Sequence, residues 1–303
     1  MGLDDFVSTF AMYCQQRFGE GVQKLTLDAN FTCPNRDGTL GRGGCTFCNV
    51  ASFTYVLGSE QSITTQLSEG KQRLRAKASK FLAYFQAYTS TYEEYAVLQQ
   101  RYDEALASTD LVGLCVGSRP DCLPDKVLDL LLAYQQQGHE VWLELGLQSA
   151  HDDTLKRINR GHDFATYVDA VERARKRGLK VCTHLILGLP GEDNIMHLQT
   201  LQRVLAVGVD GLKLHPLHIV EGSTMAKAWR CGRLLPPTME QYAASAGELI
   251  RHTPRDIIFH RVTAYAKPPV LLAPQWCSSR WKGLNAVVQE LARAGGQGSA
   301  LSR

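Results

Sequence analysis

Six short runs rich in apolar and β-branched residues, at 23–27, 81–87, 111–116, 140–147, 179–187 and 211–215, alternate with amphipathic stretches at 62–77, 92–107, 125–137, 164–177 and 196–207. No other feature constrains the fold as much. Strand, helix and strand in repeated succession form βαβ units, whose common solution is a parallel sheet with helices packed against it. The punctuation agrees: Pro124 stands at a helix start, and Gly138 and Gly178 stand at two helix ends. After Gly222 the alternation weakens. A helix at 239–251, a strand at 256–262 and a final helix at 284–293 make an α/β extension, read as a cap rather than an independent domain.

The extension also differs in charge. From Ser223 onward there are 11 Lys and Arg against 4 Asp and Glu, a net +7, while the preceding residues carry 22 against 26, a net −4. Such asymmetry points to a partner bearing phosphates; the plainer reading is a solvated basic surface. The chain begins MGLDDFVSTF without a basic n-region, and no run of about 18 apolar residues occurs. The sequence therefore predicts neither a secretion signal nor a membrane span. Its 9 cysteines, an odd number, read as thiols or metal ligands in a reducing, cytoplasmic setting.

The densest chemical signal follows the first strand. Cys33, Cys45 and Cys48 lie with eleven residues and then two between them. Thiolates are soft ligands suited to zinc or iron–sulfur clusters, and a two-residue gap turns both sulfurs toward one centre. A structural zinc wants a fourth Cys or His at similar spacing, and no neighbouring residue offers one. Three protein ligands leave a cluster with one open iron. Glycines at 38, 41, 43 and 44 permit a crowded wrap, and Arg36 and Arg42 offset thiolate charge. A zinc site and a redox dithiol are the competing readings. Cys115 and Cys182 fall in apolar strands and read as small core residues.

With its segments Cys33-Pro-Asn-Arg-Asp-Gly38 and Gly44-Cys-Thr-Phe-Cys-Asn49, this loop resembles that of the radical S-adenosylmethionine enzymes, although the usual first gap is shorter. The long gap is similar to that of the bacterial YhcC/YtqA group, related to the elongator-type radical enzymes. Further matching stretches are Gly117-Ser-Arg-Pro-Asp-Cys122, Glu144-Leu-Gly-Leu-Gln-Ser149, Ile158-Asn-Arg-Gly-His162, His184-Leu-Ile-Leu-Gly-Leu-Pro-Gly-Glu192 and Lys213-Leu-His-Pro-Leu-His218.

The resemblance implies a fold and a site. The fold is α/β, a partial (β/α)6 TIM-like parallel barrel over residues 1–222 with a basic C-terminal extension, 223–303, packed on it. A 4Fe-4S cluster held by Cys33, Cys45 and Cys48 reductively cleaves S-adenosylmethionine to a 5′-deoxyadenosyl radical that removes a substrate hydrogen. Cofactor-binding candidates are Phe47, Arg119, Glu144, Gln148, His184, Gly188, Lys213 and His215, at or near the strand C-termini. Glu144 or Gln148 holds the ribose hydroxyls, Gly188 belongs to a loop near the adenine, and Phe47 lends its backbone to that base. A lone carboxylate in an apolar run is costly unless paired, so the alternative for Glu144 is a buried ion pair with Arg119 or Lys213. Glu192 reads equally well as the acidic start of a helix.

The related enzymes act on the wobble uridine of tRNA, which makes tRNA the expected partner, with an electron donor such as flavodoxin or ferredoxin. The aromatic–basic groups Trp229-Arg230, Gln275-Trp276 and Arg280-Trp281-Lys282 suit RNA, since cations meet phosphates and rings stack on unpaired bases. Trp276 and Trp281 read alternatively as core anchors. Other readings are a radical enzyme acting on a small metabolite or a protein, and a zinc-binding module without catalysis.

Overall fold

The structure is a computed structural model that describes residues 1–49, 52, 61–74 and 78–301. Each expected strand run forms a strand: β1, Val22–Leu27; β2, Lys80–Phe85; β3, Leu111–Ser118; β4, Glu140–Gln148; β5, Lys180–Leu187; and β6, Gly211–Pro216. Every neighbouring pair is parallel. Between them run α2, Ile63–Leu74; α3, Tyr95–Leu106; α4, Asp125–Gln136; α5, Asp152–Arg157; α6, Phe164–Lys176; and α7, Asn194–Val207. The helix expected at 62–77 covers α2, and its positions 75–77 lie outside the described residues.

The sheet has a seventh strand beyond the six expected. β8, Ile258–Arg261, lies in the extension and pairs in parallel with β6, giving the order β1-β2-β3-β4-β5-β6-β8. The sheet is a curled half-barrel, and the extension supplies part of its wall. A second ladder, β7, Ile219–Val220, with β9, Leu271–Ala273, is antiparallel. The extension also contains α8, Thr224–Arg230; α9, Met239–Arg251; and α10, Arg280–Ala294.

Besides the short α5, α8, β7 and β9, one longer helix went unpredicted. α1, Phe10–Phe18, buries only Phe10 and Cys14, a single i,i+4 pair that is too little periodicity to read from sequence. It lies beside both sheet edges: on β8, Thr9 bridges Phe259 and Phe10 packs 4.2 Å from the His260 ring, and on β1 the Lys24 ammonium lies 4.1 Å from the Phe10 ring. Tyr13 and Lys180 both bond Glu140, at 2.5 and 2.6 Å. These residues stopper the strand N-termini, leaving the opposite mouth for the site.

Because side chains alternate along a strand, the inner face of the half-barrel can be read by twos. Leu82, Cys115, Trp142 and Cys182 form an apolar layer with Phe10 and Cys14. Cys115 and Cys182 are the small core residues expected. One step toward the strand C-termini, Lys24, Tyr84, Glu144, His184 and Lys213 form a polar layer. The outer face packs on the helices in a single large apolar cluster.

Candidate active site at the mouth of the half-barrel

The loop after β1 is fixed by residues beyond β4. Asn159 donates to the Gly44 carbonyl at 2.9 Å, Asn35 donates to the Asn159 carbonyl at 2.6 Å, and the Thr46 amide donates to Ile158 at 2.9 Å. The extension helps: the Met225 amide donates to the Thr46 carbonyl at 2.9 Å. Gly44 has φ +80°, and a Cβ there would lie 2.8 Å from Arg36 Nε. A side chain would push away the cation whose Nη2 donates to the Cys48 carbonyl at 2.7 Å.

This stitching brings Cys33, Cys45 and Cys48 to one wall of a cavity whose other walls are the C-terminal ends of the strands. All three thiols are free. Among the described residues no three His, Cys, Asp or Glu side chains are gathered closely enough to clasp a single metal ion. The thiols instead share a broader surface, and that surface is cationic. Arg160 Nη1 donates to Cys45 Sγ at 3.4 Å, and Asn35 Nδ2 approaches the same sulfur at 3.6 Å. Burial pushes the Cys48 thiol up, with the Arg36 guanidinium working against it. Arg119 is held two-pronged on Asp121, at 3.0 and 2.8 Å, while its Nη1 is buried without a partner. A buried, orphaned guanidinium nitrogen beside free thiols fits an anionic, thiolate-ligated group.

Of the other expected residues, Phe47, Gln148, His184 and His215 line the same cavity, as do Arg119 and Glu144. Gln148 has φ +81°, strained for a side chain other than glycine, at a slip in the β4–β5 register. Arg160 spans the same slip, its Nε donating to the Gly146 carbonyl at 3.1 Å. One arginine thus joins the thiol loop to the irregular end of β4.

Two expected residues are not among the cavity lining. Gly188 is covered by the extension: its φ is +91°, and a Cβ on it would sit 2.8 Å from the Pro237 ring. Lys213 lies beneath the floor, donating to Tyr84 at 2.9 Å and to Glu144. Glu144 carries the buried ion pair weighed as its alternative, with Lys213 and also Lys24 at 2.7 Å, while Arg119 pairs with Asp121 instead. His184 and His260 complete its contacts at 3.0 and 3.3 Å. Although burial opposes its charge, the two lysines hold its carboxyl well below the usual range. Burial depresses Lys213 to about 8 and His184 to about 4.

Sequence reasoning passed over Tyr84, Arg160, His218 and Arg261, which also line the cavity. Arg160 and His218 stand inside stretches quoted for the resemblance. Arg261 carried no such signal, because its strand was assigned to a cap.

The model of the Radical SAM superfamily matches residues 36–204, and that of the Radical_SAM C-terminal domain matches 209–293. The chain belongs to the radical SAM superfamily. It is 57% identical to Protein YhcC of Escherichia coli K12 over 303 residues, covering 100% of this chain and 98% of that protein. Over 128 residues it is 34% identical to the tRNA uridine(34) acetyltransferase of Dehalococcoides mccartyi, covering 41% of this chain and 27% of that one. Among solved structures, the archaeal Elp3 of Methanocaldococcus infernus with an N-terminal deletion superposes with a TM-score of 0.65 at 18% identity, covering 90% of this chain and 63% of that one. That likeness bears on the half-barrel fold. A radical SAM enzyme uses a 4Fe-4S cluster and S-adenosylmethionine with a source of electrons. No helix among the described residues is long and apolar enough to cross a membrane.

Proposed function

We propose that this radical SAM enzyme reductively cleaves S-adenosylmethionine at the thiol wall of the cavity and acts on a uridine of tRNA. The observation that carries the first part is the single cavity joining the three thiols to polar side chains at the strand ends. Cys33, Cys45 and Cys48 hold the cluster, Arg36, Arg119 and Arg160 balance its charge, and Gln148, beside the Cys45 side of the loop, receives the cofactor's nucleoside. When bound, the cluster and S-adenosylmethionine supply one-electron cleavage of the sulfonium and, through it, removal of a substrate hydrogen. Phe47 lends its backbone to the adenine, and the Glu144 network keeps the floor rigid beneath the reacting groups. Flavodoxin or ferredoxin serves as electron donor.

Support for a tRNA substrate comes from the relative named as a tRNA uridine(34) acetyltransferase and from the extension's net +7. Its aromatic residues divide. Trp276 is a core anchor, donating to the Pro237 carbonyl at 3.2 Å and packing 5.4 Å from the Tyr242 ring. Trp281 is 61% exposed, and the Arg280 guanidinium lies 5.8 Å from the rings of both Trp281 and Tyr265. A cation between two aromatic faces suits an unpaired base and its phosphate.

Charge reversal of Arg280 and Lys282 together is expected to weaken tRNA binding roughly tenfold or more and to flatten the dependence of log affinity on log salt by about two. Mass spectrometry of tRNA nucleosides from a deletion strain is expected to reveal an unprocessed uridine side chain. Unchanged nucleosides with salt-insensitive binding would move the substrate to a small metabolite or a protein.

A further inference from the structure

The cavity wall also carries a charge that no carboxylate among the described residues neutralises. Arg261 ends β8 where the β6–β8 ladder slips between Leu212 and Lys213, a bulge that re-aims the side chain. Its guanidinium lines the cavity, and its Nε is buried without a hydrogen-bond partner. Among the described residues no carboxylate forms an ion pair with it. The nearest anion in the polar layer, Glu144, is already engaged by Lys24 and Lys213.

The residues around Arg261 do not supply an anion either. His215 and His218 pack edge to face 4.4 Å apart, and both line the cavity. Burial lowers His218 to about 3 and His215 well below the usual imidazole range, with Arg261 adding to both shifts. Both rings are therefore neutral at physiological pH, and His218 Nε2 is a second buried atom without a partner. A guanidinium whose Nε is shut off from water without a partner is unfavourable unless a ligand completes it.

We infer that Arg261, with His218 beside it, is the specificity-determining subsite for an anionic group on the substrate, a carboxylate or a phosphate. The inference rests on the radical SAM reading of the cavity but not on the identity of the substrate as tRNA. Arg261 stands on the last strand of the sheet, whereas the thiol loop follows the first. An anion bound there holds the substrate from the β8 side of the cavity wall.

The test is titration calorimetry on the anaerobically reconstituted holoenzyme, saturated with S-adenosylmethionine, in wild-type, Arg261→Gln and Arg261→Lys forms. The probes are acetate, inorganic phosphate and acetamide, the last an uncharged isostere of acetate. Wild type is expected to bind at least one anion and to bind acetamide more than tenfold more weakly than acetate. Arg261→Gln should lose at least tenfold in anion affinity and Arg261→Lys less, because lysine keeps the charge but not the planar fork.

Two further probes, 5-carboxyuridine and uridine 5′-monophosphate, separate an anion borne by the base from one borne by the phosphate. If acetate or phosphate binds through Arg261 while neither uridine does, the subsite stands and the uridine reading fails. Equal anion binding by wild type and Arg261→Gln would overturn the proposal. So would loss of S-adenosylmethionine affinity in that variant, which would assign Arg261 to the cofactor.

Discussion

Replacing Cys33, Cys45 or Cys48 with Ala is expected to strip the anaerobically reconstituted protein of nearly all its iron and sulfide, whereas Cys115→Ala and Cys182→Ala retain them. The two groups of cysteine differ in surroundings, not in chemistry. The first three share the cavity wall with Arg36, Arg119 and Arg160, so a deprotonated sulfur there meets positive charge. Cys115 and Cys182 are wholly buried in the apolar layer of the half-barrel. Burial holds the Cys115 thiol up at about 11 and that of Cys182 higher still, so neither is a ready thiolate ligand. A cluster bound by three protein sulfurs cannot lose one and keep its affinity. Iron and acid-labile sulfide assays, read with the visible spectrum, check this. A full cluster in Cys45→Ala would show that the ligands are misassigned.

The second large effect is on stability. Glu144→Gln is expected to destabilise the fold by about 3–5 kcal/mol, the usual consequence of removing one partner from a buried ion pair. Glu144 is 1% exposed and engages both Lys24 and Lys213, so its loss leaves the buried Lys213 and the half-buried Lys24 without their counter-charge. Denaturant unfolding measures the difference, and a change below about 1 kcal/mol would mean that water reaches the network. The pH dependence follows from the same geometry. Because the folded carboxyl is held well below its unfolded value, its contribution is complete above the unfolded pKa. It is lost as pH falls through the folded one. Wild type should therefore show an acid limb of destabilisation that Glu144→Gln lacks.

How far sequence reached can be argued from single residues. The six βα strands were legible because buried parallel strands are continuous apolar runs, as in Leu111 to Val116. The thiol loop was legible because its spacing has few structural explanations. Other features depend on contacts distant in sequence. Pro237, from the extension, covers Gly188, and no local pattern announces that a loop glycine will be roofed. Lys24 and His260 meet Glu144 from the first and last strands of the sheet, a meeting made by curvature rather than by spacing. Arg261 went unseen for a related reason: a four-residue strand beyond the βα period gave no sign of joining the barrel.

The measurement that bears most directly on the central claim is the quantity of 5′-deoxyadenosine and methionine formed when the reduced, cluster-loaded wild type is incubated anaerobically with S-adenosylmethionine. Wild type is expected to form the two in equal amounts, slowly without substrate, and Cys45→Ala to form neither. Absence of 5′-deoxyadenosine from a wild-type preparation with a full 4Fe-4S complement would contradict it.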